Sequence, residues 1–335
     1  MSLITRSILG TIVLALVSII LGLFYKGVDR KIAAHMQARV GPPIRQPFRD
    51  VIKLFTKENI VPDDAIPWLF NLSPVIALSA SIIMMLYLPV GDIKPMLSTE
   101  GDLILILYLL LIPSLCLVIG GFSSGSPFAT VGAQREMVLM MSYEFPLAIA
   151  VISVVWRLRE AGIDVPFSLS SIMENPIWNN VGILGIIGCI ILLIALVIVT
   201  PGELSKVPFD APEAETEIAG GLLVEYSGRN LALFYLADAV KTLAMATLII
   251  AIFFPYNLSS LLSISGYPAY ALDFLFYLFK LFLVILLSVT LIRVAVARLK
   301  IDQLVSTYWI SVVLLSLIGL VLLMFDRLAC LKGWY

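Results

Sequence analysis

Seven carboxylates stand where a membrane chain would be expected to avoid them. Glu144 lies inside an apolar run, and Glu203, Asp210, Glu213, Glu215, Glu217 and Glu225 crowd together after the next one. Only Lys206 and Arg229 are near enough in sequence to balance those six acids. Further on, Asp238 and Lys241 sit three residues apart within another apolar run, and Asp273 and Lys280 occupy the one after it. A carboxylate near the middle of a membrane helix costs ~2.5–3.5 kcal/mol on insertion scales. Such a group therefore faces a water-filled cavity or a partner, and it marks a proton or ion path. The chemistry open to this set is the uptake, holding and release of protons or cations. A plain solvated acidic loop and a structural Asp238–Lys241 ion pair are the competing readings. Asp210-Ala-Pro-Glu213 has the form of an N-cap with its capping-box partner, which predicts a helix running on through Glu225. On that helix Glu213 and Glu217 share a face while Glu215 points elsewhere, and residues 218–224 are apolar enough to dip into a bilayer.

The elements that must position these groups are membrane helices. Of 335 residues 60% are hydrophobic and 13% charged, with a mean hydropathy of +1.03. Soluble domains run nearer half apolar and a quarter charged. Stretches long enough to cross a ~30 Å hydrocarbon core recur at residues 3–24, 69–90, 103–122, 137–156, 181–200, 231–254, 271–292 and 304–324. Arg135 and Glu136 fall at the start of the fourth and would cap it, and Pro113 and Pro146 lie within spans, which neighbouring helices can tolerate. Arg6 is followed by an apolar run with no small-residue cleavage site, so no cleavable signal is expected. The expected fold is an all-α integral membrane protein, one polytopic domain over residues 1–335, with eight transmembrane helices. Two smaller helices are expected beside them: an amphipathic one in the first loop and the short acidic one after span five. Loops 25–68, 123–136, 201–230 and 293–303 hold 14 of the 22 Lys and Arg residues. The positive-inside bias makes these loops cytoplasmic and both termini external, in a cell membrane.

Within the first loop, Phe48, Val51, Ile52 and Phe55 fall at i, i+3, i+4 and i+7, and Arg49, Lys53 and Lys57 step along the opposite side. That pattern predicts a basic amphipathic helix lying on lipid headgroups or under a partner protein. Other chemistries are poorly provided for. Cys116, Cys189 and Cys330 stand apart, and His35 is the one histidine, so neither zinc, iron–sulfur nor haem spacing is present. No glycine-rich nucleotide loop and no Ser/His hydrolase arrangement occurs. The two halves share no alignable repeat of the kind secondary transporters carry. The chain is expected to hold no metal and no cofactor of its own, and to bind no nucleic acid.

Several motifs together resemble one family. Val207-Pro-Phe-Asp-Ala-Pro-Glu-Ala-Glu215 with Val224-Glu-Tyr-Ser-Gly228 resembles the signature loop of the H subunit of respiratory complex I. That family is shared with membrane-bound nickel–iron hydrogenases and formate hydrogenlyases. Gln37 to Pro42 leading to Gln46–Lys53, Gly132 to Arg135 with Ser142 to Pro146, and Arg298 to Gln303 before Trp309 agree in order and spacing. The resemblance implies eight helices and a role as a non-catalytic membrane subunit of a larger oxidoreductase. It implies that Arg39, Arg45, Arg49, Lys53 and Arg135 border a chamber or interface beneath a peripheral redox arm. It also implies an acid path through Glu144, Glu203, Glu213, Glu215 and Glu225 toward antiporter-like membrane subunits. Some positions depart from the quinone-reducing members: Gly41-Pro42-Pro43-Ile44, Ser205-Lys206 and Asp238. These resemble the hydrogenase branch, including archaeal-type membrane-bound hydrogenases and sulfane sulfur reductases, and weaken the case for a bound quinone. The implied partners are hydrogenase-like large and small redox subunits, antiporter-like subunits and lipid. A nickel–iron or related centre and iron–sulfur clusters would reside in those partners.

Overall fold

The computed structural model describes residues 3–91, 93–262 and 266–331. Within them eight helices are long and apolar enough to cross a membrane. In chain order the elements begin with α1 (Leu3–Met36), the short α2 (Gln46–Thr56), α3 (Pro67–Tyr87), α4 (Asp102–Ser123) and α5 (Pro127–Glu160). They continue with α6 (Leu169–Glu174), α7 (Ile183–Glu203), the one-turn α8 (Glu215–Ile218), α9 (Gly228–Phe253) and α10 (Leu258–Leu262). Each of the last two spans carries a π-helical insert. One joins α11 (Tyr267–Ile285) to α12 (Leu291–Ala295), and the other joins α13 (Ile301–Ser306) to α14 (Val313–Leu331).

Two spans run well past their apolar stretches. The first continues to Met36, and the fourth begins at Pro127 rather than near 137. Backbone hydrogen bonding does not stop at the hydrocarbon edge, and a proline in the first turn is already set to a helical φ. In consequence Arg135 and Glu136 lie about two turns inside α5 and cap nothing. The long Lys26 and Arg30 side chains also leave from a helix rather than a loop.

The expected helix through Glu225 is not formed. A 3-10 turn at Ala211–Glu213 is followed by extended Ala214, then by α8, and then by Ala219, Gly220 and Gly221 at φ of 54°, 97° and 53°. A right-handed helix cannot pass through three left-handed residues in a row. Asp210 makes no capping hydrogen bond; its carboxylate is taken by Arg298 instead. The segment therefore folds as a chain of tight turns, and it packs flat on α5. At Gly132 a Cβ would come within 2.7 Å of the Leu222 amide and 2.9 Å of the Pro212 carbonyl, so only glycine lets the two backbones meet.

The core is centred on α9, which is buried almost throughout, whereas α1 is largely exposed. Lipid tails are as apolar as leucine, so helices in a bilayer associate through close packing and polar contacts. The buried alanines Ala232, Ala237, Ala239, Ala244, Ala246 and Ala251 let α1, α3, α4 and α7 pack against α9. In α2, Val51 is buried against this assembly while Ile52 and Phe55 are exposed. Arg30 reaches Asp50 at 3.2 Å and ties α2 to α1.

Candidate functional site

Many of the charged groups gather at one end of the bundle, where α1, α4, α5, α7 and α9 meet the loop between α7 and α9; the buried Arg157–Asp326 pair lies apart from them. Lys241 projects from α9 to Glu203 at the end of α7, with Nζ 2.7 Å from Oε1. It also donates to the Glu203 carbonyl at 2.8 Å and to Ser114 Oγ on α4 at 2.7 Å. Both members of the pair are almost fully enclosed, and Glu203 Oε2 has no hydrogen-bond partner among the described residues. About a turn earlier on α9, Asp238 is held by two lysines, Lys26 at 2.6 Å and Lys206 at 2.7 Å. The Lys26 ammonium also lies 3.3 Å from the centre of the Tyr235 ring, a cation–π contact that helps stabilise it away from water. Asp238 and Lys241 are therefore not partners of each other, although their spacing allows it.

Two neighbouring spaces that share lining residues open onto these groups. A cavity of about 230 Å³ is lined by Lys26, Lys206, Glu203, Glu213, Asp238 and Lys241, among others. A second of about 270 Å³ shares Lys26, Arg30, Ser205, Lys206 and Glu213, and it reaches out to Asp210, Glu215, Arg293 and Arg298. Each exceeds the ~30 Å³ that one water occupies in the liquid. Glu213 borders both. Burial pushes its carboxyl above the ordinary range, with Lys206 and Lys26 pulling the other way and Asp238 and Asp210 adding to the rise.

The loop is fastened around this centre by ion pairs. Arg298 holds Asp210 at 2.6 Å, and the Leu299 amide donates to the Pro208 carbonyl. Arg135 holds Glu217 at 2.6 Å and donates to the Ala211 carbonyl at 3.2 Å. Arg293 and Thr290 both donate to Asp29, beside the π-helical insert of the seventh span. At the end of the loop the Tyr226 ring stacks on Phe70, with centroids 4.1 Å apart, and its hydroxyl donates to the Phe70 carbonyl.

The candidate residues separate accordingly. Glu203, Glu213, Asp238, Lys241 and Asp210 converge on the two cavities. Glu144 stands beside them on α5, half-buried, with Oε1 enclosed and unpartnered among the described residues, within electrostatic reach of Glu203 and Lys241. Glu215 is exposed at the rim of the second cavity, and Glu217 is engaged by Arg135 at the surface. Glu225 lines neither of these two cavities and forms no ion pair among the described residues. Arg45, Arg49 and Lys53 are exposed on the first loop, as is Arg39, which donates to Gln37. Asp273 and Lys280 belong to the other end. Asp273 accepts from the Ser259 amide and hydroxyl, and Lys280 donates to the Phe254 and Tyr256 carbonyls. Phe254 is thirteen residues beyond Lys241, about 20 Å along the α9 axis.

Other members of the cluster were not evident as site residues from sequence. Lys26 and Arg298 come from distant segments and supply the cations that the acid-rich loop lacks locally. Glu136 is buried and accepts from the Tyr143 and Ser205 hydroxyls. Its spacing of seven from Tyr143, two helical turns, is a signal that could have placed both on one face. Among the described residues no group of three or more His, Cys, Asp or Glu is arranged to hold a metal ion.

Comparison with known proteins agrees with this architecture. The family described as NADH dehydrogenase matches residues 9–324. The chain is 33% identical over 292 residues to the H subunit of the NADH-quinone oxidoreductase of Brevibacillus brevis, covering 84% of this chain and 81% of that protein. It is 31% identical over 253 residues to hydrogenase-4 component C of Escherichia coli, covering 75% and 76%. A chain in the structure of the membrane-bound sulfane sulfur reductase, an archaeal respiratory membrane complex, superposes with a TM-score of 0.82 at 28% identity. That match covers 95% of this chain and 99% of the other. On the extent of these matches, the chain belongs to the NADH dehydrogenase family.

Proposed function

We propose that this chain is the membrane-anchoring subunit of a hydrogenase-type redox complex related to complex I. In this reading its buried carboxylates couple electron transfer in a peripheral arm to the movement of protons or sodium ions. The observation that carries the reading is the enclosed Glu203–Lys241 pair with the partly buried Lys26–Asp238–Lys206 triad beside it, beneath the acidic loop. Charges are costly to enclose, and their retention beside two cavities at one end of an apolar bundle supports transport.

The loop is the moving part in this account. A redox event in the arm shifts the turns between residues 204 and 227 and loosens the Asp210–Arg298 and Glu217–Arg135 clasps. That changes how strongly Glu213 and Glu203 hold protons. The first loop, with Arg39, Arg45, Arg49 and Lys53, carries the arm, whose large and small subunits contain the nickel–iron or related centre and the iron–sulfur clusters. Antiporter-like subunits and lipid surround the spans, and the charged end faces the cytoplasm of the cell. This chain touches no atom of the redox reaction and needs no cofactor of its own.

The test is to isolate the native complex in mild detergent and identify its subunits and metals. Nickel with a hydrogenase-type large subunit supports the reading, and the same large subunit with altered metal-binding cysteines moves the terminal reaction to sulfur. A chain that purifies alone and still moves ions overturns it. A second reading, the quinone-chamber subunit of a complex I-type enzyme, is favoured by the 33% identity to a component of a quinone oxidoreductase. NADH-oxidising subunits or bound quinone in the same preparation would select it.

A further inference from the structure

Glu136 has no role in the coupling described above. Glu136 is only 1% exposed, and no ion pair engages it among the described residues. It lies within electrostatic reach of Lys241, Glu213 and Glu203. Its two oxygens point along a continuous string of polar groups. Oε2 accepts from Ser205 of the loop at 3.4 Å, next to Lys206 and its contact with Asp238. Oε1 accepts from the Tyr143 hydroxyl at 3.3 Å, and Tyr143 stands 3.4 Å from Ser114 Oγ on α4. Ser114 accepts from Lys241 at 2.7 Å, and Lys241 meets Glu203 at 2.7 Å.

We propose that Glu136 is a proton carrier joining the acidic loop to Glu203 through Tyr143, Ser114 and Lys241, and that the ion moving along this string is the proton. The proposal rests on the coupling role set out above. Tyr143 has one hydroxyl proton and two acceptors, so the string has two directions. With Glu136 ionised, Tyr143 donates to it. With Glu136 protonated, the acid donates to Tyr143, and Tyr143 turns to Ser114. Transfer then proceeds without gain or loss of charge carriers. Lys241 gives a proton to Glu203 and becomes neutral, and Ser114 gives its proton to the amine. Tyr143 resupplies Ser114, Glu136 resupplies Tyr143, and Glu136 is left ionised for the next proton from the loop. The steps at 3.3 and 3.4 Å are longer than an ordinary O–H···O bond of about 2.7–2.8 Å, which makes the hops at Tyr143 the slow ones. A metal cation cannot follow this route. It would have to displace the Lys241 ammonium, which already occupies the space between Glu203 and Ser114.

The test uses the native complex carrying Glu136→Gln or Glu136→Asp, reconstituted in liposomes and driven by reduced methyl viologen, with protons or polysulfide as acceptor. Protons and sodium ions moved per electron are read with internal dyes, and the same samples are titrated by infrared difference spectroscopy. Glu136→Gln should lower protons per electron about tenfold or more and remove a protonated-carboxyl band. Glu136→Asp should keep part of the transport and shift that band. Wild-type proton transport in Glu136→Gln, an unchanged band, or failure of both variants to assemble each overturns the proposal. So does a wild-type complex that moves sodium and no protons. A parallel Glu213→Gln complex separates the two levels. If it stops pumping while Glu136→Gln pumps normally, only the Glu136 step falls. If both pump normally, the coupling role itself falls.

Discussion

Lys241→Met removes the ammonium from the most enclosed ion pair of the cluster and leaves the Glu203 carboxylate without a counter-charge. The two side chains are 6% and 1% exposed, with nitrogen and oxygen 2.7 Å apart, so the lost ammonium is replaced at best by water from the adjoining cavity. Breaking a buried pair from one side costs ~3–5 kcal/mol, whereas removing both charges together costs far less. Adding Glu203→Gln to Lys241→Met should therefore recover much of the loss. Recovery stays incomplete, because Ser114 and the Glu203 carbonyl each lose a hydrogen bond worth about 1 kcal/mol. The assay is the temperature at which half of the chain remains soluble when detergent extracts of the complex are heated, read by immunoblot. The expected order is wild type, then the double variant, then Lys241→Met, with the interaction taken from the double-mutant cycle. Single and double variants that lose solubility within about a degree of each other would show that the pair contributes no electrostatic coupling.

The other expectations concern the loop and its docking face. Reversing charge at Arg49 and Lys53 should strip the peripheral subunits from the purified complex, and their retention would mean that α2 only coats lipid. Tyr226→Ala removes the stack on Phe70, a loss of ~3–5 kcal/mol for a buried aromatic, and should speed amide exchange across residues 204–227; unchanged exchange refutes its fastening role. Glu213 binds its proton more tightly when folded than when unfolded, because burial disfavours the ionised form. Stability should therefore fall as pH rises from the ordinary carboxylate range through its raised value. Glu213→Gln should flatten that slope, and a parallel slope in the variant contradicts the assignment. Arg135→Ala should cost no more than about 1 kcal/mol through its Glu217 pair, since both side chains reach solvent, and a several-fold larger loss would show that the clasp is structural.

Much of the fold was legible from hydropathy, because eight apolar stretches leave few other solutions for a chain this poor in charge. The ends of the spans were less so. Arg135 and Glu136 break an apolar pattern without breaking a helix, and Lys26 turns its charge inward to Asp238 while the backbone keeps its helical bonds. The acid-rich segment failed as a helix for a local reason. Ala219 adopts a left-handed conformation that alanine disfavours, and the Gly220-Gly221 pair that follows it was the one signal of a break. Membership of the cluster was readable for Glu203, Glu213 and Asp238, whose sequence neighbourhood is conspicuous. The pairing was not. Asp238 and Lys241 are neighbours along the helix, yet each finds a closer partner on another element, and only tertiary packing brings Lys26, Lys206 and Glu203 to them.

Proton and sodium transport by the reconstituted complex, measured per electron in wild type, Glu144→Gln and Glu213→Gln, shows whether the buried acids carry the ions. Both variants should assemble with their redox subunits and move few or no ions. Assembled variants that pump at the wild-type ratio would contradict this and leave the buried acids with a structural role alone.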